Sequence, residues 1–217
     1  MEDIKRKIGK FPDRLFVTGT DTGVGKTLVC ASLMLGMKAV YWKPVQSGIL
    51  DGTDTEWIRK ATGLPAWRFF PETYRLRRPL SPHAAALADG VEIRMSAFRL
   101  PDTPPGFRLI VEGAGGVMVP LNEDCLMIDL IRQLDLPVLV VARSSLGTIN
   151  HTLMTLSMLR ARSIEVAGVV LNGPTNASNR FAIEHYGRVR VLAEIEPLDT
   201  INPSDLMRVS RLICNRF

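Results

Sequence analysis

The stretch Phe16-Val17-Thr18-Gly19-Thr20-Asp21-Thr22-Gly23-Val24-Gly25-Lys26-Thr27 decides the fold of this chain. An apolar run leads into a glycine-containing loop, and the loop ends in Gly25-Lys26-Thr27. Glycine reaches dihedral angles that other residues avoid, so Gly23 and Gly25 can turn backbone N–H groups towards a phosphate. Lys26 can place its ammonium on the outer phosphates, and Thr27 can offer its hydroxyl to Mg²⁺. We therefore predict a strand, a phosphate-binding loop and a helix start that together bind a nucleoside triphosphate.

The loop departs from the strict phosphate-loop pattern at one position. That pattern has a glycine, four other residues and then Gly-Lys-Thr. Here Thr20 stands where the first glycine is expected, and Gly19 lies one residue earlier. Beyond the loop, Leu28, Val29 and Leu33 recur at helical spacing. They predict a helix that ends near residue 36.

Composition limits the class of protein. The chain has 217 residues, of which 46% are hydrophobic and 23% charged, so we expect one globular domain over residues 1–217. The formal charge of +5 comes from dispersed arginines and suits anionic small ligands better than nucleic acid. Three separated cysteines predict neither a disulfide framework nor a zinc site, and a reducing cytoplasm fits them best. Residues 1–10 lack the apolar run of a leader, and no run approaches the roughly 20 residues that span a bilayer, so we expect no membrane association.

Further candidate ligands follow two other predicted strands. Residues 39–42 form a short strand that delivers Lys43 and Ser47, and residues 107–111 form a strand that ends at Glu112. Open parallel sheets bind ligands at the carboxyl ends of their strands. A carboxylate beside a phosphate loop can hold Mg²⁺ or its water, and the glycines after Glu112 let the backbone approach a ligand. Thr53 or Asp54 can cap a helix through residues 57 and 58, or Asp54 can lie near Mg²⁺; the residues alone leave both open.

The rest of the chain continues the alternation of strands and helices. Strands are predicted at 137–142, at 166–171 before Asn172 and Gly173, and at 189–193. A helix starting at Gly147 to Asn150 offers a second anion site through its free N–H groups. We interpret residues 64–80 as a loop or lid before a helix starting at Ser81-Pro82-His83, and the tail from Ser204 as a helix with Leu206, Met207, Leu212 and Ile213 on one side. This order predicts an α/β fold: a mostly parallel, doubly wound sheet with helices on both faces, of the P-loop NTPase type.

Several of these motifs, in this order, closely resemble the dethiobiotin synthetase family. They are Gly-Thr-Asp-Thr-Gly-Val-Gly-Lys-Thr at 19–27, Lys43-Pro-Val-Gln-Ser-Gly, Ser81-Pro-His, Val111-Glu-Gly-Ala-Gly-Gly, Leu146-Gly-Thr-Ile-Asn-His and Asn172. The early Gly19 is itself part of this family's loop. The resemblance covers most of the chain, and Gln46 departs from it, because a small residue is common there.

The resemblance implies an ATP-dependent carboxylase and cyclase of biotin biosynthesis. In that family 7,8-diaminononanoate, CO₂ and ATP give dethiobiotin, ADP and phosphate. The 7-amino group forms a carbamate, the carbamate attacks the γ-phosphate to give a carbamic-phosphoric anhydride, and the 8-amino group closes the ring. The ligase would be a cytoplasmic homodimer that uses Mg²⁺ and shares its active sites between subunits.

The resemblance also assigns roles to residues. Lys26 and Lys43 are the catalytic cations, and Thr27, Asp54 and Glu112 are the Mg²⁺ ligands. Ser47 contacts the carbamate, and Asn172 reads the adenine. The substrate carboxylate lies on the partner subunit's helix start, which corresponds to Gly147, Thr148, Ile149 and Asn150. The implied nucleotide contacts are Gly23, Val24, Gly25, Lys26, Thr27, Leu28, Asp54, Glu112, Gly113, Ala114, Gly115, Asn172, Gly173, Pro197 and Leu198.

Two other functions remain as alternatives. A cobyrinate-type ATP-dependent amidoligase would need a glutaminase with a nucleophilic cysteine, and no cysteine here has such surroundings. A partitioning-type switch ATPase would work by nucleotide-gated dimerisation, with the basic apolar tail on a membrane. Those ATPases usually carry an extra lysine early in the loop, where this chain has Thr18, Gly19 and Thr20.

Overall fold

A computed structural model describes residues 11–217, so the expectations for residues 1–10 lie outside the described part. Seven parallel strands form the main sheet in the order β4-β2-β6-β1-β7-β8-β9, and β3 and β5 form a separate parallel pair. The strands are β1 (Arg14–Gly19), β2 (Ala39–Trp42), β3 (Val45–Ser47), β4 (Phe69–Phe70), β5 (Tyr74–Leu76), β6 (Arg108–Gly116), β7 (Val138–Arg143), β8 (Val166–Asn172) and β9 (Val191–Ile195).

Helices cover both faces of the main sheet. They are α1 (Lys26–Gly36), α2 (Asp54–Thr62), α3 (Pro82–Asp89), α4 (Met127–Leu134), α5 (Thr148–Ala161), α6 (Ala177–Gly187) and α7 (Pro203–Cys214). Leu15 and Val17 of β1 pack in the core beneath α1 and α7, whereas Phe16 packs in the opposite core with α4 and α5. Because both faces are buried, most positions of the central strands are apolar, and Thr18 in β1 and Glu112 in β6 are buried polar exceptions. The doubly wound α/β fold is therefore as predicted. Within residues 11–217, no helix is long and apolar enough to cross a membrane.

The sheet order places a crevice at the end of β1. This strand lies between β6 and β7. The strands that follow β1 in the chain, β2, β4 and β6, lie on one side of it in the sheet, and the later strands β7, β8 and β9 lie on the other side. Ligands of open α/β sheets bind outside the carboxyl ends of the strands at such a switch point. The predicted phosphate loop leaves β1 at that point and leads into α1.

Strand β6 is longer than predicted. It continues through Glu112 to Gly116 rather than ending at residue 111, because Val17 of β1 pairs with Glu112 and, after a register shift, Gly19 pairs with Gly116. Glu112 therefore lies within a strand, and its side chain is buried. The expectation that the strand stops before the glycine cluster was wrong.

Other differences concern the outer elements. The predicted loop at 64–80 contains β4, which extends the main sheet beside β2, and β5, which pairs with β3. Strand β9 begins and ends two residues later than expected, and α4 and α6 were not predicted. In α7, Leu212 is exposed while Val209 and Ser210 are buried, because the buried face follows the spacing of Leu206 and Ile213.

Candidate active site

A cavity of about 580 Å³ opens where the phosphate loop, β3 and β6 meet. It is lined by Thr22, Gly23, Gly25, Lys26, Thr27, Lys43, Gln46, Ser47, Asp54, Pro79, Leu80, Ser81, Pro82, Glu112, Ala114, Gly115 and Val119. Most of the charged and hydroxyl residues predicted from strand ends are thus brought to one place. Pro79 and Leu80 from the predicted loop or lid, and Ser81 and Pro82 from the helix start after it, form part of the wall.

The phosphate loop has the backbone that its glycines predict. Gly25 precedes α1 with a φ of 101° and a ψ of 23°, in the left-handed region that favours glycine. A Cβ at Gly25 would also collide with the side chain of Asn172. Asn172 Nδ2 donates to the carbonyl of Val24 at 3.0 Å, so the end of β8 supports the loop from behind.

The structure explains the early glycine of the loop. A Cβ at Gly19 would lie 2.7 Å from the carbonyl oxygen of Asp21 and 2.8 Å from Cγ2 of Val24. That Asp21 oxygen accepts a hydrogen bond from Lys26 Nζ at 3.0 Å. The loop therefore folds back tightly over the end of β1, and the glycine is required at 19 rather than at 20.

A buried ionic cluster lies at the inner end of the cavity. Lys43 Nζ lies 2.6 Å from Asp54 Oδ2 and 3.0 Å from Glu112 Oε1. The side chains of Lys43 and Glu112 are only 4% and 1% exposed, so water contributes little to their solvation. Taking such charges out of water is costly unless each has partners of opposite charge. The two carboxylates and the two lysines of the cavity cancel in formal charge.

The ionic contacts shift the pKa values of the groups in the cluster. Burial by itself lowers the pKa of Lys43, but the carboxylates of Glu112 and Asp54 outweigh it and raise that pKa. Burial by itself raises the pKa of Asp54, but Lys43 outweighs it and lowers that pKa. Burial lowers the pKa of Lys26, partly opposed by Glu112. Lys43 and Asp54 are therefore both held in their charged forms.

Three oxygen atoms converge beside the phosphate loop. The hydroxyl of Thr27 donates to Asp54 Oδ1 at 2.9 Å and lies 3.0 Å from Glu112 Oε1. Mg²⁺ binds hard oxygen ligands and commonly takes one or two carboxylates together with substrate phosphates. Within residues 11–217 no group of three His, Cys, Asp or Glu side chains could hold a metal ion alone. Two carboxylates, one hydroxyl and a neighbouring phosphate loop nevertheless fit Mg²⁺.

Of the two residues predicted as the cap of α2, Thr53 is the one whose side chain caps the helix. The side chain of Thr53 accepts from the Glu56 N–H at 3.1 Å, and Glu56 in turn accepts from the Thr53 N–H at 2.9 Å. This capping box satisfies the start of α2 without the carboxylate of Asp54. The amide oxygen of Gln46 accepts from the Asp54 N–H at 3.0 Å, so Gln46 ties β3 to the same helix start. The Asp54 carboxylate is left to face Thr27 and Lys43.

Ser47 lies on the cavity wall with an unused hydroxyl. Its Oγ atom is buried, and it has no hydrogen-bond partner among the residues that the structure describes. A buried hydroxyl without a partner is costly, and a ligand in the cavity would relieve that cost.

A second cavity of about 880 Å³ adjoins the first and shares Thr22 and Val119 with it. Asn150 of α5 and Met154 line its other side. Of the four residues predicted to bind the substrate carboxylate, only Asn150 lines this cavity. The others, Gly147, Thr148 and Ile149, lie at the start of α5 outside both cavities.

Several predicted nucleotide contacts lie outside the first cavity. Val24 is buried beneath the loop, and Leu28 is half-buried on α1. Gly113 lies within β6, and Gly173 follows β8 and donates to the carbonyl of Ile195 at 2.8 Å. Pro197 does not line either cavity, and Leu198 lines a separate one of about 690 Å³ with Trp57 and Ile201.

One polar contact in the site was not predicted. The hydroxyl of Tyr41, within β2, donates to Glu112 Oε2 at 2.8 Å. Burial raises the pKa of Tyr41 well above its usual value, with Glu112 adding to the shift. The sequence feature that could have predicted this contact is the tyrosine in the otherwise apolar strand β2. A buried tyrosine hydroxyl usually has a hydrogen-bond partner.

The chain is similar in sequence to a family model and to several known proteins. A protein-family model described as an AAA domain matches residues 13–205. The chain is 54% identical over 192 residues to the ATP-dependent dethiobiotin synthetase BioD of Paramagnetospirillum magneticum, covering 88% of this chain and 92% of that protein. It is 46% identical over 193 residues to the BioD of Brucella melitensis biotype 2, covering 89% and 90% of the two chains. It is also 49% identical over 192 residues to the bifunctional protein BioCD of Bordetella avium, covering 88% of this chain but 41% of that longer protein.

Distant solved structures share the fold. A putative plasmid partition protein from Borrelia burgdorferi, bound to AMPPNP, matches with a TM-score of 0.53 at 10% identity, covering 96% of this chain and 100% of that chain. A MinC:MinD cell division complex from Aquifex aeolicus matches with a TM-score of 0.51 at 12% identity, covering 91% and 86%. At these identities the similarity concerns the fold alone. The two BioD proteins, in contrast, are similar in sequence over about nine tenths of their length, and BioCD is similar over one part of its longer chain. On that similarity, the chain belongs to the dethiobiotin synthetase family.

Proposed function

We propose that this enzyme converts 7,8-diaminononanoate, CO₂ and ATP to dethiobiotin, ADP and phosphate. One observation carries the proposal: Thr27, Lys43, Asp54 and Glu112 converge on one cavity at the phosphate loop. The named relatives are ATP-dependent synthetases of this product. The enzyme is accordingly of the ligase class.

The reaction joins two anions, which explains the cations in the cavity. The 7-amino group adds to CO₂ and loses a proton, which gives a carbamate. A carbamate oxygen then attacks the γ-phosphorus, and the bond to ADP breaks, which gives a carbamic-phosphoric anhydride. The 8-amino group attacks the carbamoyl carbon, loses a proton and expels phosphate as the ring closes. Positioning and charge stabilisation supply most of the catalysis in such phosphoryl transfers.

Lys43 is suited to the transferring phosphoryl group. Its ammonium has three donors, and the contacts to Asp54 and Glu112 use two of them. The third is available to an anion in the cavity. Because its pKa is raised, Lys43 remains a cation at neutral pH. Lys26, which also lines the cavity, would bind the outer phosphates of ATP.

Mg²⁺ would be held by Thr27, Asp54 and Glu112, and it would neutralise charge on the ATP phosphates. The convergence of these three oxygens supports the assignment. The cavity residues are formally neutral together, so they leave the phosphate charge to be balanced by a bound cation. The remaining nucleotide contacts are proposed from resemblance to the family: residues 23–28, Asp54 and residues 112–115, Asn172 at the adenine, and Gly173, Pro197 and Leu198.

The diamine would occupy the first cavity near Ser47 and extend into the second. The unpartnered Ser47 hydroxyl supports a contact with the carbamate. We further propose a homodimer in which Gly147 to Asn150 of the partner subunit bind the substrate carboxylate. Exposed apolar side chains on α5 and the neighbouring α6 support this: Leu146 just before α5, Met154 within it, and Phe181 and Tyr186 on α6. The three free cysteines fit a cytoplasmic protein.

The alternative functions are less well supported. Both the amidoligase and the switch ATPase share the fold, but the close relatives are synthetases of dethiobiotin. Purified protein with Mg²⁺, bicarbonate and ATP should release phosphate only when the diamine is added. Release that ignores the diamine but responds to lipid or DNA would overturn the proposal in favour of a switch ATPase.

A further inference from the structure

The two oxygens of the Glu112 carboxylate have different surroundings. Oε1 faces the cavity and lies 3.0 Å from both Thr27 Oγ1 and Lys43 Nζ. Oε2 faces the interior of the fold and accepts the hydrogen bond from Tyr41 at 2.8 Å. Both carboxylate oxygens of Glu112 therefore have protein partners, and only Oε1 is available to a ligand in the cavity.

The sheet register brings Tyr41 to this position. Tyr41 of β2 pairs with Ile110 of β6, and side chains two residues apart along a strand point to the same face. Tyr41 and Glu112 therefore lie on one face of the sheet, beneath α1. The Tyr41 ring is fully buried, and its centroid lies 6.1 Å from that of Phe69 in an edge-on arrangement. Because this packing fixes the ring, it also fixes the direction in which the hydroxyl donates.

We propose that Tyr41 is a positioning residue of the magnesium site, which holds Glu112 Oε1 towards Thr27 and thereby sets the affinity for the metal. The inference rests on the proposed function, because it takes the oxygens of Thr27, Asp54 and Glu112 as the Mg²⁺ ligands. Partners that orient a ligating carboxylate typically change metal affinity by about 10- to 100-fold when they are removed. Tyr41 does not touch the reacting groups, so its effect passes through Glu112.

The test compares two substitutions that each remove one hydroxyl. Tyr41→Phe removes the donor to Glu112. Tyr74→Phe removes the hydroxyl that accepts from the Arg94 N–H at 2.9 Å, a hydrogen bond that does not involve the ionic cluster. Mn²⁺ binding is measured by electron paramagnetic resonance with ADP present and no diamine. Tyr41→Phe should raise the Mn²⁺ dissociation constant by about tenfold or more. Tyr74→Phe should leave it within about twofold, and thermal melting should show both variants folded at the assay temperature.

Kinetics separate positioning from a general loss of structure. For Tyr41→Phe, the Mg²⁺ concentration that gives half-maximal phosphate release should rise, and saturating Mg²⁺ should restore most of kcat. A Tyr41→Phe dissociation constant within about twofold of the unsubstituted protein would overturn the inference. A loss of kcat that saturating Mg²⁺ does not restore would overturn it as well.

A measurement on the unsubstituted sequence covers the case in which Tyr41→Phe does not fold. The chain has 3 tyrosines, so protein labelled with 3-fluorotyrosine gives few ¹⁹F resonances, which Tyr74→Phe and Tyr186→Phe assign. Adding Mg²⁺ to the ADP complex should shift the Tyr41 resonance and leave the other two in place; an unmoved Tyr41 resonance would overturn the inference.

Absence of Mn²⁺ binding by the unsubstituted protein would contradict the proposed metal site itself. Normal binding with an unaffected Tyr41→Phe variant would contradict only the role of Tyr41.

Discussion

The ammonium nitrogen of Lys43 lies 3.0 Å from Oε1 of Glu112, and both side chains are almost fully buried. This is the same oxygen that approaches Thr27. Oε1 of Glu112 thus contacts both the ammonium of Lys43 and the hydroxyl of Thr27, which is a proposed ligand of the metal. The arrangement connects the group that would stabilise the transferring phosphoryl to the group that would hold Mg²⁺.

Lys43→Ala should abolish turnover while most of the ATP affinity remains. The reason is that Lys43 would act on the phosphoryl group in the transition state, whereas the loop and Lys26 bind the nucleotide in the ground state. Steady-state phosphate release and calorimetric ATP binding check the two effects. Lys38→Ala, at an exposed lysine outside the cavity, is the matched control. Loss of ATP binding with residual turnover intact would contradict this role for Lys43.

The same variant should lose stability in the absence of metal. Removing one partner of a buried ion pair leaves an uncompensated charge, here Glu112, and costs about 3–5 kcal/mol. Mg²⁺ with ADP should recover part of this loss, because it supplies a new cation beside the carboxylate. Denaturant unfolding with and without Mg²⁺ measures the difference. Equal gains from Mg²⁺ in Lys43→Ala and in the unsubstituted protein would contradict the expectation that the metal ion compensates for the lost ammonium beside Glu112.

Asp54 should make the metal-free protein less stable in acid. Lys43 outweighs burial and lowers the folded-state pKa of Asp54 below its ordinary value of 3.8. Its contribution to stability is therefore complete above the unfolded-state pKa and is lost as the pH falls through the folded-state value. Asp54→Asn should flatten this part of the curve of unfolding free energy against pH, and Asp51→Asn, at an exposed carboxylate, should not. An unchanged acid limb in Asp54→Asn would show that the ion pair does not form in solution.

Thr27→Val should weaken metal binding and leave the shape of α1 intact. Valine has nearly the same volume as threonine, but it removes the hydroxyl that lies beside Asp54 and Glu112. We expect the Mg²⁺ requirement of phosphate release to rise by about tenfold or more. Thr62→Val removes a hydroxyl that donates to a carbonyl within α2 and should not change that requirement. An unaltered Mg²⁺ dependence in Thr27→Val would exclude this hydroxyl as a ligand.

Ser47→Ala should impair use of the diamine without loss of stability. Because Ser47 Oγ has no partner within the described residues, its removal breaks no hydrogen bond in the free protein. The KM for the diamine should rise, while the KM for ATP and the melting temperature stay close to those of the unsubstituted protein. A fall in melting temperature with an unchanged diamine KM would indicate a structural role instead.

The sequence was sufficient for the central part of this structure because its signals are local. Residues 16–27 predicted a strand, a loop and a helix, and β1, the loop and α1 follow in that order. Apolar runs predicted β2, β7 and β8, since strands buried on both faces have no polar alternation. The fold, the family and the enzyme class inferred from these motifs are confirmed by the parallel sheet and by the close relatives.

What was missed depends on contacts between distant residues. The continuation of β6 past Glu112 follows from its pairing with β1, which no local pattern encodes. Strand β5 forms by pairing with β3, and residues 74–76 have no strong strand pattern of their own. The hydrogen bond from Tyr41 to Glu112 joins positions 71 residues apart. The sequence allowed either Thr53 or Asp54 to cap α2, and only the contacts between Thr53 and Glu56 show that Thr53 is the cap.

The most direct test of the proposed reaction follows the carbon atom of CO₂ into the product. Purified protein is incubated with ¹³C-labelled bicarbonate, Mg²⁺, ATP and 7,8-diaminononanoate, and the products are analysed by mass spectrometry and phosphate assay. We predict dethiobiotin with the label in its ureido carbonyl, formed in equal amount to the phosphate released, and no such product from Lys43→Ala. Phosphate release without labelled dethiobiotin would contradict the proposal.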